Sequence, residues 1–278
     1  MKITQENYYG LEANQYYFTA SQIKTFMTCP YQWLATRRGL WERPLTPALF
    51  QGQYVDVALT EPDKFAQFKM DHSDKIFSRG GVRADILKLD KAIDRVRKDE
   101  FFMHMISGDT QEIIAIESFH GYPYKCMMDC LNFEEMFLTD LKTCKALDGQ
   151  EWVRISDGSF RKVSWIAYWR YPMQLALYRE AVKQKYGFSP HPYIAAMEKI
   201  SNIENSPNFD VFDLFDKMPI EGELRRGVHS MEQMGDMVDA DLEDPASVKR
   251  CGTCEWCIKN KRLKAAKKFT FDPTMLEF

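Results

Sequence analysis

Phe137-Leu138-Thr139-Asp140-Leu141-Lys142-Thr143 decides how this chain is read. The stretch predicts a strand, and in a strand residues two apart project to the same face. Asp140 and Lys142 therefore point together, while Leu141 points into the core. A second apolar-flanked run, Tyr124 to Phe133, carries Asp129, and the polar Asn132 and Glu134-Glu135 between the runs predict a hairpin connection. Two carboxylates and an ammonium then meet at one spot.

Such a spot suits a hard divalent cation. Mg²⁺ takes oxygen ligands in octahedral array and keeps several waters, so one or two carboxylates plus phosphate oxygens suffice. A bound metal acidifies water and offsets charge at a phosphoryl transition state. Lys142 would position or deprotonate that water, or stabilise the developing charge. Asp-x-Lys also occurs on ordinary surface strands, so the surrounding pattern has to carry the reading.

Downstream, Tyr171-Pro172 fits a helix start, because proline is accepted in the first turn. Gly187 fits its stop. The spacing of Gln174 and Tyr178 puts both on one face, with Leu175, Leu177 and Ala181 as apolar surface. Alone, this pattern describes a buried tyrosine with a satisfied hydroxyl equally well.

Seven cysteines make a second constellation. Cys251-Gly252-Thr253-Cys254-Glu255-Trp256-Cys257 places three thiols in one short loop, and Cys29, followed by Pro30, is the candidate fourth ligand. The C-x2-C-x2-C run with a distant Cys-Pro is similar to ferredoxin-type cluster ligation. Zinc on four thiolates and free thiols stay open. A redox pair at Cys251/Cys254 lacks a framing βαβ unit, and disulfides do not suit an odd cysteine count without a signal-peptide pattern. Cys126, Cys130 and Cys144 read as small core residues.

Further segments extend the pattern. Tyr17-Phe18-Thr19-Ala20-Ser21-Gln22-Ile23-Lys24 with Cys29-Pro30, then Gly52-Gln53-Tyr54-Val55-Asp56, precede Met128-Asp129, Thr139 to Thr143 and Pro172 to Tyr178. In this order and spacing, from about Thr19 to Lys264, the chain resembles the PD-(D/E)XK nuclease superfamily and its exodeoxyribonuclease VIII (RecE)-like branch of phages and prophages. The resemblance implies an α/β (α+β) restriction-endonuclease-like core, a central mixed sheet flanked by helices, in a single domain over 1–278. It implies Mg²⁺ or Mn²⁺ held by Asp129, Asp140, the main-chain carbonyl of Leu141 and Asp56. Lys142, Gln174 and Tyr178 complete the implied catalytic set, the last two touching DNA phosphate or bracing the lysine. Two positions depart from the broader pattern. Asp56 stands where many relatives carry histidine, which keeps an oxygen ligand, and Asp140 where many carry glutamate.

By the same resemblance the activity is a metal-dependent DNA exonuclease. Its substrate is double-stranded DNA with free ends, resected 5′ to 3′ in phage-type recombination. A single-strand annealing protein is the implied partner, and an oligomer is among the branch's assemblies. The cysteines are similar to those of the CRISPR adaptation nuclease and the AddB nuclease domain, where one N-terminal and three C-terminal cysteines hold a 4Fe-4S iron-sulfur cluster. That likeness implies that an N-terminal helix (about 19–40) and a cysteine loop (about 249–264) close together. A catalytically inactive metal-stapled DNA-binding protein, which Asp56 would favour, and a DNA endonuclease of the same core are the alternatives.

Composition is consistent with these readings. The 278 residues are 45% hydrophobic and 14% aromatic, enough to bury a large core. No apolar run approaches the roughly 20 residues that span a bilayer, so a cytoplasmic protein with no membrane partner is expected. Net charge of -3 does not suit a generally basic nucleic-acid binder, yet Lys249 to Lys268 holds eight Lys/Arg against the single acid Glu255. That run reads either as a phosphate-tracking patch or as a solvated helix. Helices are expected over Ser21–Leu40 with Ser21 as cap, Gln51–Leu59, Val82–Lys98 and Phe101–Met105. Strands are expected over Ile113–Ser118, Pro192–Ile200 and Phe209–Asp213, a loop over Leu147–Arg161, and an acid-rich helical stretch over Asp210–Asp244.

Overall fold

The computed structural model describes residues 1–155, 157–199, 207–215, 219–240 and 247–261. Its first part is helical, with α1 (Leu11–Tyr16), α2 (Ala20–Thr28), α3 (Pro30–Arg37), α4 (Pro47–Thr60), α5 (Pro62–Asp71) and α6 (Ser73–Ile76). A small ribbon of β1 (Phe77–Ser78) and β2 (Gly81–Val82) leads to α7 (Ala84–Val96) and α8 (Glu100–Met105). Then come β3 (Asp109–Phe119), β4 (Tyr122–Asn132), β5 (Phe137–Cys144), β6 (Gln150–Arg154) and β7 (Phe160–Ser164). The rest is α9 (Trp165–Tyr168), α10 (Tyr171–Tyr186), β8 (His191–Glu198), β9 (Phe209–Asp213), α11 (Ile220–Asp239) and α12 (Glu255–Lys259).

Five strands form the central sheet in the order β3-β4-β5-β8-β9. β5 and β8 run parallel, and the other neighbours are antiparallel. Parallel neighbours need a crossover, which the β6–β7 ribbon, α9 and α10 provide. Ile194 and Ala196 of β8 join a core with Ile23, Leu175 and Met231, from α2, α10 and α11. Ala195 and Met197 point the other way, into a core with Leu141 and with Tyr54 and Leu89 of α4 and α7. The fold is the expected α+β arrangement, a mixed central sheet flanked by helices.

Two local expectations fail. Ser21–Leu40 is not one helix. Pro30 lacks an N–H, and its ring drives the preceding residue out of the helical region. Cys29 is extended at φ -155, ψ 97, and α2 and α3 meet there at a corner. The cap is Thr19, whose hydroxyl accepts from the Gln22 N–H, rather than Ser21. Leu147–Arg161 is not a loop either, because β6 and β7 pair from Gln150 with Ser164 to Arg154 with Phe160. Both strands are largely exposed, so no apolar alternation marks them. By contrast α10 starts at Tyr171-Pro172 and stops at Gly187, left-handed at φ 84, as read from the sequence. α11 occupies the middle of the acid-rich stretch, while Ile200, residues 241–244 and residues 262–268 of the basic run lie outside the described residues.

Candidate active site

Strands β4 and β5 pair at Asn132 with Phe137, Leu131 with Leu138 and Cys130 with Thr139, and there the ladder ends. Asp129 and Asp140 are the next residues on each strand. On the far side of β4 the register skips Gln111, which sits in the left-handed region at φ 57. Strain of that kind in a non-glycine residue tends to gather at functional sites. The Leu141 backbone is turned to the acidic groups. Its N–H donates to Asp129 Oδ2 at 2.8 Å, and its carbonyl accepts from Lys142 Nζ at 2.9 Å. Lys142 Nζ also lies 2.8 Å from Asp140 Oδ2 and 3.4 Å from Asp129 Oδ2.

A second tier holds Asp140, which is 2% exposed. Gln174 Nε2 donates to Asp140 Oδ1 at 3.0 Å and to the Tyr178 hydroxyl oxygen at 3.1 Å. Lys24 of α2 donates to Gln174 Oε1 and lies over the Tyr171 ring, 4.4 Å from its centroid. Asp140 Oδ2 is buried with no hydrogen-bond donor aligned on it, although Lys142 rests against it as an ion pair.

Charge at this spot is unbalanced. Burial pushes the Asp129 carboxyl up to about 8; Asp56 and Asp140 add to the rise while Lys142 opposes it. Asp56 lines the same cavity, and burial, with Glu61 and Asp140 against Lys142, carries it to about 6. Burial disfavours the Lys142 ammonium, but Asp140 and Asp129 outweigh it and hold Lys142 above its ordinary range. Three crowded carboxyls with the Leu141 carbonyl beside them are an oxygen donor set that fits a hard divalent cation.

The cavity holds about 600 Å³. Tyr8, Tyr9, Leu11 and Asn14 of the N-terminal segment line it together with Trp33, Arg37, Trp41 and Arg43. Lys125, itself fully buried, donates to the Tyr8 carbonyl and lies 4.6 Å from that ring's centroid, fastening the segment to β4.

The cysteines assemble elsewhere. Sγ atoms of Cys29, Cys251, Cys254 and Cys257 lie within 4.8 Å of one another, where the α2–α3 corner meets the loop before α12. Trp256 packs near Tyr31 and Trp41, with ring centroids 5.8 and 5.6 Å away. Four convergent thiols suit a soft or borderline metal. Cys126, Cys130 and Cys144 are buried apart from this group.

Residues 19–260 match the family described as "PDDEXK-like domain of unknown function (DUF3799)". The chain belongs to this family. It is also similar to a crystal structure from Eubacterium rectale described as a "Putative exonuclease", with a TM-score of 0.83 and 28% identity over 96% of this chain and 97% of that one. No curated protein matches it.

In this DUF3799 chain the sequence-predicted residues fall into two places. Asp56, Asp129, Asp140, Lys142, Gln174 and Tyr178 line the cavity, with the Leu141 carbonyl beside them; the four cysteines form the other group. Sequence reasoning missed Lys24, Gln111 and the Tyr8-Tyr9 wall. Lys24 had a signal, because it occupies the apolar stripe of Ala20, Ile23 and Met27 at helical spacing. The described part of the basic run does not line the cavity. There Lys259 pairs with Glu255 at 3.0 Å and Arg250 lies over Tyr31. No helix among the described residues is long and apolar enough to cross a membrane.

Proposed function

We propose that this protein is a divalent-metal-dependent deoxyribonuclease that hydrolyses phosphodiester bonds from DNA ends. One observation carries the reading: Asp129, Asp140, Lys142 and the Leu141 carbonyl converge where the β4–β5 ladder ends. The oxygen donors of Asp129, Asp140 and Leu141 suit Mg²⁺ or Mn²⁺, with Asp56 in the same cavity. A bound cation would supply Lewis acidity toward the attacking water and offset charge on the phosphoryl oxygens.

The chain's own groups do the rest. Lys142 keeps its proton near neutrality because Asp140, and Asp129 once ionised, hold it there against burial, so it orients water and stabilises charge rather than accepting a proton. Gln174 holds Asp140 Oδ1, and Oδ2, which rests against Lys142, is the oxygen that a cation would share with the lysine. Water attacks phosphorus and gives its proton to solvent, the bond to the 3′ oxygen breaks, that oxygen takes a proton from solvent, and a 5′ phosphate remains.

A walled cavity of about 600 Å³ favours a strand end over an uninterrupted duplex. Tyr9, 73% exposed at its rim, offers an aromatic face for a terminal base. The Eubacterium rectale relative, described as a putative exonuclease, supports the same choice. By the resemblance drawn from sequence, the reading extends to 5′ to 3′ resection of duplex ends in phage-type recombination beside a single-strand annealing protein.

Linear and covalently closed circular DNA, each incubated with the protein and Mg²⁺, test the reading. Linear DNA is consumed and the circle persists. Cleavage of the circle would make the protein an endonuclease, and binding without cleavage of either form would make it a binding protein. Either result ends the proposal.

A further inference from the structure

The cysteine group is narrower than the cluster its sequence pattern implied. Its four Sγ atoms all lie within 4.8 Å of one another, with Cys29 and Cys257 3.6 Å apart and Cys251 and Cys257 3.9 Å apart. A single tetrahedral ion with metal–sulfur bonds of about 2.3 Å sets sulfur–sulfur edges of about 3.8 Å. A 4Fe-4S cube gives each thiolate its own iron at a separate corner, so its four cysteine sulfurs must stand farther apart than around one ion. The cage here is one ion wide.

We propose that Cys29, Cys251, Cys254 and Cys257 hold a single tetrahedral Zn²⁺, and that this ion is a structural staple rather than an iron-sulfur cluster. Four protein thiolates leave no open coordination position, which is the pattern of a structural zinc site. Backbone donors are in place around the sulfurs. The Cys254 N–H points at Cys251 Sγ at 3.2 Å, and the Cys257 N–H at Cys254 Sγ at 3.4 Å. Such outer bonds orient thiolate ligands and spread their charge. Soft sulfur here and hard oxygen at the carboxylates would also keep zinc and Mg²⁺ in separate places.

The staple has a mechanical consequence. Pro30 breaks the chain into α2 and α3, and that corner carries Cys29, which is fully buried. Tying it to the loop before α12 fixes the C-terminal end of α2, the helix that delivers Lys24 to Gln174. Zinc therefore holds the α2 end of the candidate active site without touching DNA. This inference does not depend on the nuclease reading, since its test needs no activity.

The experiment is metal analysis and X-ray absorption on the full chain, purified anaerobically from iron-replete cells without added chelator. One zinc per chain is expected, with no acid-labile sulfide and no visible charge-transfer absorbance. The zinc edge should report four sulfur neighbours at about 2.3 Å and no metal–metal scattering. Stoichiometric iron, whether with sulfide or as a single ion, overturns the proposal, as does a chain without metal or zinc bound by nitrogen and oxygen. Cys29→Ser and Cys257→Ser should lose the zinc, whereas Cys126→Ala, outside the cage, should keep it. Should the serine variants fail to fold, mercurial titration of wild-type thiols still applies. Zinc must then leave as these four sulfurs react, and zinc that stays bound refutes the ligand set.

Discussion

Lys24 donates to Oε1 of Gln174, and this bond fixes which end of the amide faces Asp140. With its oxygen engaged, Gln174 can present only its N–H₂ group inward, where it meets both Asp140 Oδ1 and the Tyr178 hydroxyl. A helix near the N-terminus thus controls a carboxylate on the central strand through a third element, α10. Asp140 is thereby held at Oδ1 by Gln174 and at Oδ2 by Lys142, 2.8 Å away.

Lys24→Met should therefore weaken the proposed hydrolysis without removing any group that meets the cation. The freed amide can turn its oxygen toward Asp140 and set two acceptors face to face. A lost bond to a buried polar group costs about 1–3 kcal/mol, so kcat should fall roughly 10- to 100-fold. KM for DNA should change little. Steady-state kinetics on linear DNA check this, and an unaltered kcat would take Lys24 out of the arrangement.

The same lysine leaves a pH signature in stability. Burial lowers Lys24 to about 7, with Lys142 and Arg170 adding to the effect and Asp140 opposing it. Between about pH 7 and its unfolded value of about 10.4, the unfolded chain holds a proton that the folded chain has released. Stability from this group therefore rises with pH across that window. Wild type should gain on Lys24→Met in urea midpoint from about pH 7 to about pH 9.5. A pH-independent gap between the two would contradict the assignment.

Why some of this was legible in the sequence is a matter of range. The Asp140-Leu141-Lys142 triplet, Tyr171-Pro172 and Gly187 act through strand period, proline and left-handed glycine, all within a few residues. Thr19 to Cys29 was harder. One apolar stripe runs through it, but Pro30 overrides the stripe and turns the chain at Cys29. The β6–β7 ribbon buries neither face and so carries no pattern. The Tyr8-Tyr9 wall depends on Lys125, more than a hundred residues away and fully buried under Tyr8. Gln111 bears no mark at all: it reads as an ordinary polar strand residue, yet its backbone is left-handed.

Removing either half of the Asp140–Lys142 ion pair, buried on the Asp140 side and half-buried on the other, should separate fold from chemistry. Asp140→Ala or Lys142→Ala should abolish Mg²⁺-dependent degradation of linear DNA, roughly a thousandfold or more, while far-UV circular dichroism stays native. The two differ in stability. Lys142→Ala leaves the buried Asp140, and the half-buried Asp129 beside it, without their cation, which costs about 3–5 kcal/mol when the carboxylates are ionised. Added Mg²⁺ should recover part of that loss in Lys142→Ala but not in Asp140→Ala. Full activity in either variant would refute the roles proposed for these residues.

Metal binding should also expel a proton. Burial first, then Asp56 and Asp140, carry the Asp129 carboxyl up to about 8 against the pull of Lys142. The folded chain therefore holds a proton there that the unfolded chain loses near pH 4. Stability from this group is full below about pH 4 and is lost as pH rises through about 8. A divalent cation needs the carboxylate, so it must displace that proton. Calorimetric titration with Mg²⁺ at pH 7, repeated in two buffers of different ionisation heat, should show net release approaching one proton per ion. Release should shrink toward pH 9, and the rise in Tm on adding Mg²⁺ should be larger at pH 8 than at pH 6. Asp129→Asn has no such proton to give, so heats that match between buffers are expected for it. The same buffer independence in wild type would mean that the cation does not bind at Asp129.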